Sequence, residues 1–154
     1  MNISRLIKQI IIDEGMRLRA YKDSLGYLTV GVGHLIKDSD DEDIRSLQVG
    51  DRITKERAYD LLMGDLAQAI QDAVIVFYKE WETLPPEAQE VFVNMIFNLG
   101  RSRFIKFKNT IKAAYEHDWL KVSEEMLDSR WARQVGPRAK RLSSKIRALA
   151  EQED

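Results

Sequence analysis

The 154-residue chain has no cysteine. That excludes disulfides, thiolate zinc sites and cysteine nucleophiles, and makes the fold indifferent to the redox state of its compartment. Histidine is nearly as scarce. His34 and His117 are far apart in the chain, a poor basis for a metal site. Long apolar runs are missing as well. Ile10-Ile11-Ile12 is cut off by Asp13 and Glu14, too short for a signal-peptide core or for the roughly 20 residues of a transmembrane helix. The expectation is a chain made and folded in a cytoplasm, without membrane insertion. Nor does one sign of charge dominate. Lys plus Arg number 24 against 25 Asp plus Glu, which argues against a dedicated nucleic-acid binder.

What is present is ordinary in amount and uneven in placement. Apolar residues make up 44% of the chain, enough for a real core in one domain or two small lobes. Acid collects in Asp38-Ser39-Asp40-Asp41-Glu42-Asp43. Base collects between Arg130 and Arg147, which hold seven Lys or Arg and no acid. The basic stretch reads either as a solvated helix face or as a surface that receives an anionic polymer.

Hydrophobic periodicity divides the chain. Ile3, Leu6, Ile7, Ile10 and Ile11 predict a helix over 3–12, with Gly15 placed to stop it. Leu18, Ala20 and Tyr27 to Val32 predict short strands around a turn at Asp23-Ser24-Leu25-Gly26. Gly31 and Gly33, bracketing Val32, mark a bulge or a backbone that something approaches closely. An acidic loop over 37–52 contains at most one helical turn. Thr54 then caps a helix that the spacing of Ala58, Leu61, Leu62, Leu66, Ala69, Ala73 and Phe77 carries to about Trp81. Pro85-Pro86 opens the next helix and Gly100 closes it. Short helices follow at about 108–116, 118–128, 130–134 and 138–150, with Gly136-Pro137 before the last. The predicted architecture is mainly α (α+β), a single domain over 1–154 with three parts. A small α/β lobe with an antiparallel hairpin spans 13–53, a long connecting helix spans 54–81, and a helical lobe spans 82–154 plus 1–12.

The chemistry-bearing residues cluster early. Glu14 stands where a helix meets an irregular segment, Asp23 opens the hairpin turn, and Thr29 lies on the returning strand. Two carboxylates and a hydroxyl on one rim suit water-mediated acetal hydrolysis. One carboxyl would protonate the leaving oxygen while the other stays ionised and orients a water. The same spacing also suits a surface acid followed by a turn former.

A longer pattern surrounds these three. Ile12-Asp13-Glu14-Gly15, Tyr21-Lys22-Asp23 and Gly26-Tyr27-Leu28-Thr29-Val30-Gly31-Val32-Gly33-His34 closely resemble the T-even phage lysozyme family. The resemblance continues through Asn94-Met95-Ile96-Phe97-Asn98-Leu99-Gly100, Ser129-Arg130-Trp131 and Pro137-Arg138-Ala139-Lys140-Arg141, in order and over nearly the whole chain. It implies the two-lobed lysozyme fold with a cleft between lobes. It also implies hydrolysis of the β-1,4 bond between N-acetylmuramic acid and N-acetylglucosamine in bacterial peptidoglycan. A water held by Thr29 and Asp23 opposite the leaving oxygen would give inversion, whereas a closer carboxyl pair would make Asp23 a nucleophile and give retention. Glu14 is then the general acid, Asp23 the second carboxylate and Thr29 the residue that orients the water. No metal or organic cofactor is implied.

Leu35, Phe97, Asn98, Thr110 and Arg138 match family positions that face substrate or the catalytic acid. Asn98 stands where the family commonly has a longer amide, and reads equally as a short arm to a sugar or as a buried amide. The segment around Thr110 departs from the family. Arg138, as a cation beside Glu14, would favour its ionised form, whereas burial of Glu14 would favour the neutral one, and the sequence leaves the two opposed. Leu25 is a second departure, because several members carry an acid there that pairs across the cleft mouth. Phe104, Phe107, Trp119 and Trp131 read as core, and Trp81 as a cover for the end of the long helix. His34 reads as a structural histidine with Asp65 as its partner, and His117 as exposed.

Two other readings compete with the muramidase. A lytic transglycosylase needs an acid but no pair to hold water, so Asp23 and Thr29 weigh against it. A wall-binding protein that lost its chemistry would not need all three residues. The expected setting is a monomeric phage endolysin, held in the host cytoplasm until a holin releases it to the wall.

Overall fold

The structure is a computed structural model, and it describes residues 1–152. It is 67% helical, with a small antiparallel sheet. The expected fold class is therefore observed. Chain contacts group residues 4–67 into one compact unit and residues 1–3 with 68–152 into another. This division falls inside the long helix and groups most of the first helix with the sheet, whereas periodicity assigned residues 1–12 to the helical part.

In the first unit, helix α1 (Ile3–Glu14) runs two residues past its predicted end. It stops where Gly15 takes φ +76° and donates its N–H to the Ile11 carbonyl at 2.8 Å. Left-handed backbone at that point is cheap only for glycine. Strands β1 (Arg17–Lys22), β2 (Leu28–Gly31) and β3 (His34–Leu35) form a three-stranded sheet in sequence order, one strand more than the predicted hairpin. Tyr21 pairs with Thr29 across β1 and β2, and Thr29 with Leu35 across β2 and β3. Side chains alternate faces along a strand, so Tyr21, Thr29 and Leu35 form one cross-strand row.

Val30 pairs with His34 in the neighbouring row, and both are buried. Ala20, Val30, Ile44, Ile53, Ala58 and Leu61 make the apolar core under the sheet. The acidic loop supplies the single short helix α2 (Glu42–Arg45), whose Ile44 is the residue it buries. Thr54 caps helix α3 (Lys55–Phe77) as expected, its hydroxyl accepting the Arg57 N–H at 3.1 Å.

Helix α3 ends earlier than periodicity suggests. Tyr78 takes φ +48°, and residues Tyr78–Thr83 continue as a 3-10 helix. The span Lys55–Thr83 is long and apolar enough to cross a membrane by length and mean hydropathy alone. It reads differently residue by residue. Ala58, Leu61, Leu62, Leu66, Ala69, Ala73 and Phe77 are buried, while Asp65 and Asp72 are ion-paired with His34 and Arg101. That is the amphipathic pattern of a core helix.

The second unit is helical among its described residues. Helix α4 (Pro86–Leu99) is buried along most of its length and ends at Gly100, φ +78°. Around it come α5 (Arg101–Phe104), α6 (Lys108–Tyr115), α7 (Trp119–Leu127), α8 (Arg130–Val135) and α9 (Pro137–Gln152). All but α5 follow the predicted spacing. Phe77 lies at the centre of an aromatic cluster, stacked on Phe92 at 4.8 Å and edge-on to Phe104 and Tyr115. Trp81, Trp119 and Trp131 are all buried.

Candidate active site

The 4–67 unit carries Glu14, Asp23, Thr29 and Leu35. Glu14 is the last residue of α1, half-buried, at the negative end of the helix dipole. A carboxylate gains nothing from the dipole at that end, so its presence there calls for another reason.

Asp23 is fixed by its own turn. Its Oδ1 accepts the N–H groups of both Leu25 and Tyr27 at 2.9 Å, an Asx turn that closes the hairpin. Its other oxygen, Oδ2, takes no partner among the described residues. The Asp23 N–H donates to the Tyr27 carbonyl at 2.9 Å, and the Thr29 hydroxyl donates to that same carbonyl at 3.0 Å. One backbone oxygen thus ties the main chain at Asp23 and the side chain of Thr29 to a common point. Because the Thr29 hydroxyl spends its proton on Tyr27, its remaining capacity is as an acceptor. Thr29 is 4% exposed, whereas Leu35 beside it in the row is 43% exposed.

Tyr21, at the other end of the row, was not singled out in the sequence. Burial raises the pKa of its phenol above 10, opposed by Arg17, whose guanidinium lies over the ring at 3.6 Å, and reinforced by the charges of Glu14 and Asp23. Tyr21 is therefore a neutral phenol within electrostatic reach of both carboxylates. A register shift between Arg17 and Tyr21 in β1 accompanies this stacking. No local sequence signal marks the pair, because the register shift that accompanies the stacking is visible only in the strand pairing.

Behind the sheet, His34 is clamped by two acids rather than one. Its Nδ1 meets Asp65 Oδ2 at 2.7 Å, and its Nε2 meets Asp40 Oδ2 at 3.0 Å. Carboxylates only accept, so the geometry favours the imidazolium form, in which both ring nitrogens donate. Burial alone would lower its pKa, but the hydrogen bonds and charges of Asp65 and Asp40 outweigh burial and raise it. Burial likewise opposes ionisation of Asp40. The Lys37 N–H and His34 prevail, and its pKa falls below 3.8. The Asp65 contact matches the sequence reading; the Asp40 contact was not foreseen. Among the described residues no group of acids and histidines is arranged to hold a metal ion.

The other candidates lie in the helical unit. Phe97 is half-buried on α4. Asn98 accepts the indole N–H of Trp131 at 2.8 Å, so its oxygen is engaged in packing. Thr110 is buried, with 2% exposure, in the wall of an open pocket of about 400 Å³. That pocket also presents Phe107, Trp131, Arg103, Lys106, Arg130 and Glu125. Arg138 is 7% exposed and gives two hydrogen bonds to Asn94 Oδ1, at 2.8 and 3.0 Å. It therefore does not belong to an exposed basic face, whereas Arg130 and Lys140 do. His117 is half-buried rather than exposed, tilted over Trp119 with centroids 5.2 Å apart.

Comparison with known proteins converges on one family. The family described as phage lysozyme matches residues 12–149. A probable T4-type lysozyme of Dictyostelium discoideum is 27% identical over 163 residues, covering 94% of both chains. The pre-baseplate central spike protein Gp5 of Enterobacteria phage T4 is 31% identical over 160 residues, which span 93% of this chain and 27% of that protein. The endolysin of Salmonella phage P22 is 38% identical over 92 residues, 60% of this chain and 58% of that one. The chain belongs to the phage lysozyme family, which supports a lysozyme-type role in peptidoglycan hydrolysis.

Proposed function

We propose that the protein is a muramidase that cleaves the β-1,4 bond between N-acetylmuramic acid and N-acetylglucosamine with inversion. Glu14 delivers its proton to the glycosidic oxygen as the C–O bond breaks. Positive charge developing on the ring is met by the Asp23 carboxylate. A water donates one proton to Asp23 Oδ2 and the other to the Thr29 hydroxyl oxygen, which leaves its lone pair for the anomeric carbon. Asp23 takes up the proton as the new C–O bond forms.

The observation that carries this reading is the shared Tyr27 carbonyl. It takes the one proton of the Thr29 hydroxyl and leaves that oxygen as an acceptor, in the same hairpin whose turn anchors the Asp23 carboxylate. A transglycosylase has no use for that pairing. Leu35, in the same row, offers an exposed apolar rest for a sugar face.

A zymogram on bacterial cell walls beside Glu14→Gln tests the assignment, and loss of clearing in the variant is expected. Proton NMR of a fresh digest reads the anomer, and an inverted product without anhydro-sugar ends is expected. Retention would make Asp23 a nucleophile. The biological setting we propose is lysis of a bacterial host, with the protein held in the cytoplasm until a holin opens the membrane. Expression without a holin should leave cells intact until chloroform is added. The match to a spike protein over 93% of this chain favours a second setting, action as one part of a larger spike assembly.

A further inference from the structure

At Gly33 the main chain comes close to the Glu14 side chain. Gly33 lies in the two-residue turn between β2 and β3, with φ +63°. A β-carbon built on it would stand 2.7 Å from Glu14 Oε1, 3.2 Å from its Cδ and 3.4 Å from its Cβ. All three are atoms of one side chain. The acid therefore lies lengthwise along the bare α-carbon of Gly33. A separation of 2.7 Å is far inside carbon–oxygen contact, so any side chain at 33 would have to displace the carboxyl.

The other left-handed glycines of this unit differ. Gly15, Gly26 and Gly50 have open space where a β-carbon would go, and Gly31 meets Ala58 only at ordinary contact, 3.5 Å. Two separate demands thus fall on position 33. One is the positive φ, which disfavours any L side chain. The other is the room occupied by Glu14, which only the absence of a side chain provides.

We infer that Gly33 is a positioning residue for the general acid: its bare α-carbon is the wall against which the Glu14 carboxyl is set. The α1 terminus holds the root of the side chain, and the β2–β3 turn bounds the space that its tip occupies. The inference rests on the assignment of Glu14 as the acid. Proton delivery depends steeply on placement, and a misplacement of about 1 Å costs up to about 100-fold in rate.

The test compares Gly33→Ala with Gly50→Ala in steady-state kinetics on soluble, uncrosslinked peptidoglycan strands. Gly50 has φ +92° and no neighbour within 4 Å, so its alanine carries the backbone strain without the collision. Gly33→Ala should lose about 10- to 100-fold in kcat with KM within about twofold, and Gly50→Ala should keep both. A Gly33→Ala protein with kcat within twofold of the parent, or with the loss confined to KM, overturns the inference. Should Gly33→Ala fail to fold, the double variant Gly33→Ala/Glu14→Ala replaces it, because the struck Oε1 and Cδ are then gone. It should fold and melt within about 4 °C of Gly50→Ala. Equal failure of the double variant overturns the inference. Glu14→Gln run alongside separates the two layers. If Glu14→Gln retains activity, the acid assignment falls. If Glu14→Gln is inactive while Gly33→Ala is fully active, only the role of Gly33 falls.

Discussion

The two compact units hold their shape by different means. The 68–152 unit contains all five phenylalanines and all three tryptophans of the chain, while residues 4–67 contain none. The smaller unit has instead five of the seven glycines with positive φ, the Asx turn of Asp23 and the double clamp of His34. Aromatic packing spreads its energy over many individually weak contacts. Hydrogen bonds and left-handed turns place single atoms. The proposed acid, carboxylate and hydroxyl all lie in the unit built the second way. Substitutions of the proposed catalytic residues in that unit should therefore cost activity before stability, and those in the aromatic cluster of the other should do the reverse.

The largest expected effect is on chemistry alone. Glu14→Gln should lower wall lysis by more than about 100-fold, the scale of a lost general acid, with melting shifted by less than about 2 °C. Turbidity loss of cell walls and thermal unfolding measure the two. Wall lysis above a few per cent of the parent would remove the contrast at its centre. Phe104→Ala is the opposite case. Phe104 is fully buried and touches Phe77, Phe92 and Phe107, so the substitution should cost about 3–5 kcal/mol by denaturant titration. Its specific activity, measured cold on the folded fraction, should remain near that of the parent.

Asp40→Asn should cost less, about 1–3 kcal/mol, the scale of a hydrogen bond to a charged group. The cost should depend on pH. The raised pKa of His34 makes its contribution complete below 6.5 and lost as pH rises through the raised value. The lowered pKa of Asp40 makes its contribution complete above 3.8 and lost as pH falls through the lowered value. The penalty should therefore be greatest between about pH 4 and 6.5 and shrink on either side, in unfolding curves taken across that range. A penalty independent of pH would mean that the clamp acts by packing.

The smallest effect belongs to the exposed bases. Reversing both Arg130 and Lys140 to glutamate should slow lysis of whole walls several-fold at low salt. It should also flatten the salt dependence, since exposed charges are screened within about 8 Å in physiological salt. An unchanged salt profile would reduce the basic stretch to a solvated face.

Most of the elements were legible in the sequence because their signals are local. Gly15, Thr54, Pro86 and Gly100 each mark a helix end in a way that follows from backbone geometry. The missed features depend on contacts distant in sequence or on unusual local backbone. Helix α5 has four residues and buries only Phe104, too little to set a period. Nothing at Tyr78 announces a left-handed residue, so the reading ran through it. Asp65 interrupts an apolar face and so suggested His34 as its partner. Asp40 is one acid in a run of acids, and only the folded loop distinguishes it from its neighbours. The resemblance supplied roles for Arg138 and Thr110, and composition could not tell that both are buried.

The Asp23 side chain has an orientation as well as a position. With Oδ1 committed to two backbone N–H groups, its χ2 torsion cannot reverse without opening the hairpin turn. An asparagine at 23 would be held the same way, because its carbonyl oxygen must satisfy the same two donors. Its amide NH2 would then point where Oδ2 now points. The substitution would preserve the turn and reverse the polarity offered to an approaching water, which would meet a donor in place of an acceptor. The hairpin thus acts as a polarity key, able to keep its shape while presenting the wrong end of a hydrogen bond.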